Sequence, residues 1–447
     1  MKFNVVLLVL DTLREDHAGG LARLESMGFR RYEGAISTDN WTAPSHASMF
    51  TGLMPSQHGI HRSFNSDNSA RRMAELSSSG LRTQETILSE VRGLGYSTVG
   101  YSCNPLVSPP FGYEFDDYAL FDFNGKSAHE PPYLYDRSSL LRKAAKLLLD
   151  RQFGTIRAQL SMKLRRGTGK ALGLHPMEKG SKFVIRETVR KKLAPPFFLF
   201  ANLMEAHEPY NWSDAPSLIQ RQYETITGNP AGPPLNWKER YPRHATLAVE
   251  RGLELLEALG SRLERSLVIV TSDHGQLLGE GGVYGHELTL DDRLLQVPLY
   301  VRYPAELPVL KPGRHVSLAS VKSLVGYATG GEAPTLGSDI AMAESFGPSS
   351  SVLPLAKDER ERSALISSFD HRVRVFGPEG SAVYNKTRDA IEELRGSFSP
   401  EAARDAASSL PTFTHDFDVP ASLGESMGAF AHDDMEVRER LRRLGYE

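Results

Sequence analysis

At 447 residues, with 40% hydrophobic and 24% charged side chains, the chain is an ordinary globular sequence, sized for one large domain and a smaller one. A formal net charge of -3 argues against general nucleic-acid affinity, and a lone cysteine, Cys103, excludes an internal disulfide and a thiolate metal cluster. No apolar run approaches the ~18 residues of a membrane span. Val5 to Leu10 is too short for a signal-peptide core, so the expected compartment is cytoplasmic.

Phe3 to Leu10 reads as a fully buried strand, of the kind found in a parallel sheet covered on both faces. Further on, Thr42 and Pro44 mark the start of a short apolar helix that closes at Gly52. A helical pattern over 83–93 precedes the strand STVGYS (97–102). The basic segment 137–171 has Leu or Ile at helical spacing. It reads either as an inserted helical hairpin with a solvated basic face or as an amphipathic helix touching a membrane surface or an anionic substrate. Helix 178–193, strand FFLFANL (197–203), helix 238–263, strand SLVIVTSD (266–273) and strand VPLYVRY (297–303) follow.

After about residue 330 the texture changes. A Gly, Pro and Ser-rich connection (329–354) leads to ALISSF, RVRVFG and SAVYNK, expected as short antiparallel strands with PEG as a turn. DAIEELRG and MEVRERLRRLGYE are expected as helices. The predicted fold class is α/β, a large mixed, mostly parallel sheet sandwiched by helices over residues 1–330. A small antiparallel α+β subdomain is expected over 355–447.

In such sheets ligands gather beyond the carboxyl ends of the strands. Asp11 stands at one such end, and Asp273 with His274 at another. Each alone can be a turn or capping residue. Together, two strand-end carboxylates repel unless a cation lies between them, and Asp, Asp and His suit one divalent ion. His207 lies just past a third strand and His286 in a Gly-flanked loop. Either can donate to an oxyanion or protonate a leaving group, and either alone reads equally well as a structural histidine.

In order along the chain, LDTLRED, NWTAPSHASMFTGLMPSQHGIH, AHEPY, TSDHG, GHELTLDDRLLQVPLYV and RLRRLGYE resemble the sulfatase branch of the alkaline phosphatase superfamily. The resemblance implies a catalytic domain over 1–330. It places the nucleophile at Thr42, where typical sulfatases carry the Cys or Ser that becomes formylglycine, and puts His46 where they have arginine. The sulfatase mechanism through an aldehyde hydrate therefore does not carry over. Thr12 likewise replaces one of the family's paired aspartates. The remaining set is similar to lipoteichoic acid synthases and phosphoethanolamine transferases, which use a threonine to transfer phosphoryl-linked groups. The implied activity is hydrolysis of a phosphate mono- or diester, or of a sulfate ester, through a covalent Thr42 intermediate. One divalent ion (Mn, Mg, Zn or Ca) would be held by Asp11, Thr42, Asp273 and His274, with His46, His207 and His286 assisting. A phosphotransferase acting on a glycan or lipid, and a non-catalytic protein that keeps the fold, are the alternatives.

Overall fold

The computed structural model describes residues 2–61, 70–121, 127–128, 178–210, 218–228, 236–348 and 350–412. The basic segment 137–171 and the closing MEVRERLRRLGYE lie outside the described residues.

Eight strands form the central sheet: β1 (Asn4–Leu10), β2 (Arg30–Arg31), β3 (Ser97–Ser102), β4 (Asp117–Phe121), β5 (Ser127–Ala128), β6 (Phe197–Leu203), β7 (Ser266–Thr271) and β8 (Leu299–Arg302). Their spatial order is β2-β8-β7-β1-β6-β3-β4-β5. The five in the middle, β7-β1-β6-β3-β4, run parallel, and β8, β2 and β5 pair antiparallel at the two flanks. Every residue of β1, β6 and β7 is buried. That explains why these strands read as unbroken apolar runs: with both faces covered, period-two alternation has no solvent side to report.

Register sets the site. Val9 lies opposite Thr271 on one side and Asn202 on the other, which brings Asp11 level with Asp273 just beyond the sheet's carboxyl edge. The helix α1 (Thr42–Thr51) is buried along its whole length, and Gly52 ends it at φ 75, a left-handed conformation glycine adopts without a Cβ clash. Phe50 anchors it on the sheet through edge-on contacts with Tyr113, Phe115, Phe198 and Phe200. On the sheet, α2 (Ser181–Arg190) and the long α3 (Trp237–Leu259) match the helical patterns at 178–193 and 238–263.

A second, four-stranded antiparallel sheet comprises β9 (Ala341–Ser345), β10 (Arg372–Gly377), β11 (Gly380–Asn385) and β12 (Ala390–Gly396), in that order. RVRVFG and SAVYNK are strands joined at PEG, as expected. Two other expectations are corrected. ALISSF falls largely in a helix, Glu359–Ser367, capped by Asp358 accepting from the Glu361 amide. DAIEELRG forms β12 rather than a helix. Its Ala, Glu, Leu and Arg are good helix formers, but propensity amounts to only tenths of a kcal/mol per residue, about 0–0.7, and pairing with β11 overrides it. The charged side chains of β12 reach neighbours: Glu392 meets Arg372 at 2.7 Å, Glu393 meets Arg374 at 3.3 Å and Arg395 meets Asp292 at 2.7 Å. An edge strand carrying such charges is also blunted against pairing with another chain.

Candidate active site

Four adjacent parallel strands deliver residues to one edge: β7 gives Asp273 and His274, β1 gives Asp11 and Thr12, β6 runs into Glu205, His207 and Glu208, and β3 into Asn104. All are buried. The start of α1 closes over them with Thr42.

Thr42 begins the helix, and its side chain does not cap it. Trp41 holds the cap position, and Thr42 Oγ1 lies 3.2 Å from His274 Nε2 and 3.5 Å from Asn104 Nδ2. His274 donates from Nδ1 to the Gly275 carbonyl at 2.9 Å, which leaves the Nε2 lone pair facing Thr42 and Asp273. That arrangement is the usual one for a metal-binding imidazole, whose second nitrogen is held by a backbone carbonyl.

The carboxylates are each held by one oxygen. Asp11 Oδ2 accepts from Asn104 Nδ2 at 2.9 Å and Asn202 Nδ2 at 3.2 Å. Asp273 Oδ1 accepts from the Thr12 amide at 3.1 Å and the His274 amide at 2.9 Å. The other oxygens, Asp11 Oδ1 and Asp273 Oδ2, have no hydrogen-bond partner among the described residues. Burial, and then the charge of Asp273, pushes Asp11 up to about 8, and burial pushes Asp273 up to about 7. Oxygens left open this way, within 4.8 Å of a donor atom of His274, fit a divalent cation.

Two backbone features hold this geometry. Thr12 sits at φ 58, a left-handed conformation that costs a β-branched residue about 1–3 kcal/mol. Its amide reaches Asp273, its hydroxyl donates to the Asp11 carbonyl at 2.7 Å, and its own carbonyl accepts from Tyr241 at 2.7 Å. Thr12 therefore works here as a brace. At Gly275 a Cβ would come within 1.9 Å of the Arg293 carbonyl oxygen. The glycine is required by this close approach, with no left-handed turn involved.

His46 sits one turn after Thr42 and donates from Nδ1 to the Thr42 carbonyl at 3.0 Å, with Asp273 Oδ2 3.5 Å away. Burial pushes it down to about 3, so it is neutral and its contribution is orientation and hydrogen bonding. His207 and His286 come together with ring centroids 5.7 Å apart, and His286 stands 4.5 Å from the His274 ring. Burial lowers His207 to about 4.

Other residues of the site carry no signal in the sequence. Asn104 and Asn202 are polar residues at strand ends whose use depends on register. Glu205 accepts from the Lys179 and Ser181 amides at 2.9 and 3.1 Å and so holds the start of α2. The Lys179 ammonium donates to the backbone carbonyls of Glu205 and His207. Glu208 was legible only as the neighbour of His207 in AHEPY. Of the other hydroxyls of α1, Ser45 and Ser48 bond to Ser37 and His58, and Thr51 donates to the Ala47 carbonyl at 2.7 Å, so all three face packing.

The family model for sulfatases matches residues 4–323. The chain belongs to the sulfatase family. Its fold agrees: a 2-O GAG sulfatase superposes with a TM-score of 0.55 at 13% identity, covering 92% of this chain and 90% of that one. The phosphonate monoester hydrolase of Agrobacterium radiobacter gives 0.55 at 15% identity, over 92% and 95%. BT4656, solved in complex with its substrate D-glucosamine-2-N,6-O-disulfate, gives 0.53 at 13%, over 92% and 96%. Among curated proteins, the low-salt glycan biosynthesis sulfotransferase Agl7 of Haloferax volcanii is 34% identical over 139 residues. That stretch spans 27% of this chain and about a third (31%) of the relative's length. The protein is thus an enzyme of the sulfatase and alkaline phosphatase superfamily, and the candidate ligands fit that family's metal dependence. No described helix is long and apolar enough to cross a membrane.

Proposed function

We propose that the enzyme cleaves a phosphate mono- or diester by taking the phosphoryl group onto Thr42. The observation that carries this reading is the Thr42 hydroxyl, 3.2 Å from the lone-pair nitrogen of His274 in a site with two half-open carboxylates. Asp11, Asp273 and His274 would hold one divalent cation there. When bound, it supplies positive charge that lowers the cost of ionising Thr42 and of building charge on the ester. Thr42 Oγ1, having given up its proton to solvent, would then form a bond to phosphorus as the bond to the departing ester oxygen breaks, and that oxygen takes up a proton from solvent, so the proton count is unchanged. Backbone amides at the start of α1 and the Asn104 side chain lie on the side where negative charge gathers. Water, or the hydroxyl of an acceptor, attacks the phosphothreonine and releases Thr42.

Sulfate esters share the tetrahedral geometry, and the partial match to a glycan sulfotransferase favours transfer to a glycan as the second reading. The intact site stands against a protein that only keeps the fold. Metal-loaded protein should turn over p-nitrophenyl phosphate, bis-p-nitrophenyl phosphate or a phosphonate ester, with radiolabelled phosphate trapped on Thr42 in acid quench. Turnover of p-nitrophenyl sulfate alone, undiminished in Thr42→Ala, would refute the reading. Product that appears only when a glycan acceptor is added would select the transferase.

A further inference from the structure

Two side-chain amides hold the same oxygen of Asp11. Asn104 donates to Oδ2 at 2.9 Å and Asn202 at 3.2 Å. They differ in what else they reach. Asn104 Nδ2 also lies 3.5 Å from Thr42 Oγ1, and Asn202 makes no such contact among the described residues.

The aim of the Asn104 amide is set from behind. Ser102 Oγ accepts from the Asn104 backbone amide at 2.9 Å and donates to its carbonyl at 2.8 Å. Asn104 Oδ1 accepts from the Leu106 amide at 2.9 Å. Reversing the side chain would set oxygen against oxygen at Asp11 and N–H against N–H at Leu106, so Nδ2 faces Asp11 and Thr42. On the other side of Thr42, His274 spends its Nδ1 hydrogen on the Gly275 carbonyl. Its Nε2, 3.2 Å from Thr42 Oγ1, therefore accepts the hydroxyl hydrogen, and a lone pair of Oγ1 is left toward Asn104. All of these side chains are buried.

The length of the Asn104 contact says when it acts. Ordinary N–H···O bonds close to about 2.7–3.2 Å, so at 3.5 Å the neutral threonine gains little. A bond to a charged oxygen tightens to about 2.7–2.9 Å. In the proposed reaction Oγ1 carries negative charge twice. The first time is when it has lost its proton and attacks phosphorus. The second is when water bonds to phosphorus and the P–Oγ1 bond breaks, with Oγ1 regaining a proton as the water loses one. A donor that tightens only on the charged oxygen stabilises the transition state above the ground state.

We infer that Asn104 is a catalytic residue that hydrogen-bonds the Thr42 oxygen in both steps, transferring no proton, while its bond to Asp11 ties Thr42 to a candidate metal ligand. This rests on the reading of Thr42 as the phosphoryl acceptor.

The test compares Asn104→Ala with Asn202→Ala in the full chain. Each loses a donor to Asp11, so each should bind Co(II) more weakly when titrated by visible spectroscopy. Both are then assayed on bis-p-nitrophenyl phosphate at saturating metal. Asn104→Ala should stay about 10²-fold down in kcat, with KM within about threefold of wild type. In Asn202→Ala the added metal should restore kcat to within about threefold. Asn104→Asp keeps the acceptor for the Leu106 amide and loses the donor; it should melt near wild type and share the kcat loss. Asn104→Ala recovering as Asn202→Ala does, or an equal residual loss in both, overturns the inference. Acid quench with a radiolabelled diester separates the two levels of the argument. No label on Thr42 in the wild type refutes the reading of Thr42 itself. Label laid down in Asn104→Ala as fast as in wild type refutes the role of Asn104 alone.

Discussion

At neutral pH a threonine hydroxyl is no more acidic than a serine's, so Thr42 is set apart from Ser45 and Ser48 by what its oxygen faces. Thr42 Oγ1 points to His274 and Asn104, whereas the two serines bond within the packing of α1. Thr42→Ala should lower kcat by about 10³-fold or more, since no other hydroxyl can take its place, while Thr42→Ser should keep activity within roughly tenfold. Steady-state kinetics on metal-loaded protein checks both, and equal loss in Ala and Ser variants would point to a packing role. Gly275→Ala drives a methyl group into the Arg293 carbonyl and must move the loop carrying Asp273 and His274. It should cost about 2 kcal/mol or more by urea unfolding and reduce metal affinity together with stability. Asp11, Asp273 and His274 were legible because each ends an apolar run. Asn104 and Asn202 were not, because only strand register brings them to the candidate site, and Glu208 was legible only through its neighbour His207.

Elements were legible where burial on both faces left an unmixed pattern. β1, β3, β6 and β7, and the helices α2 and α3, match the apolar runs and helical periods of the sequence. The failures lie in the second sheet, where strands are short, charged and set by their partners. β12 is an edge strand of helix-favouring residues held by cross-strand ion pairs, a contact the local sequence cannot express. This sheet also bears on the placement of Thr42. Glu344, in β9, is fully buried and pairs with His371 of the segment entering β10 at 2.8 Å. Its second oxygen accepts from the Ser56 amide at 2.9 Å, and its own amide donates to the Thr38 carbonyl at 2.8 Å. The sheet therefore grips the chain on both sides of Thr42. Glu344→Ala removes one partner of a buried pair and orphans the Ser56 amide, an expected loss of about 3 kcal/mol. Chemical denaturation measures that loss. Unchanged stability would show that the sheet is not coupled to the 38–56 segment.

For the molecule as a whole, pH acts on stability with two opposite signs. Burial opposes ionisation of Asp16 and Glu280, but hydrogen bonds from Arg14 outweigh it and hold both below the usual carboxylate range. Their contribution is present above about pH 4 and is lost as pH falls in acid. Asp11 and Asp273 behave the other way, because burial raises them to about 8 and about 7. An unfolded chain releases these protons near pH 4. The folded, metal-free protein keeps them, so this part of its stability is full in acid and is lost as pH rises toward 8. A divalent cation takes the place of those protons and adds stability only where the ligands ionise. The melting temperatures of chelator-treated and metal-loaded protein should therefore nearly coincide at pH 5 and diverge progressively to pH 8. Differential scanning calorimetry across that range reads the divergence directly. A gap of constant size would mean that the stabilising ion binds away from Asp11 and Asp273, and in Asp273→Asn the widening should be much reduced.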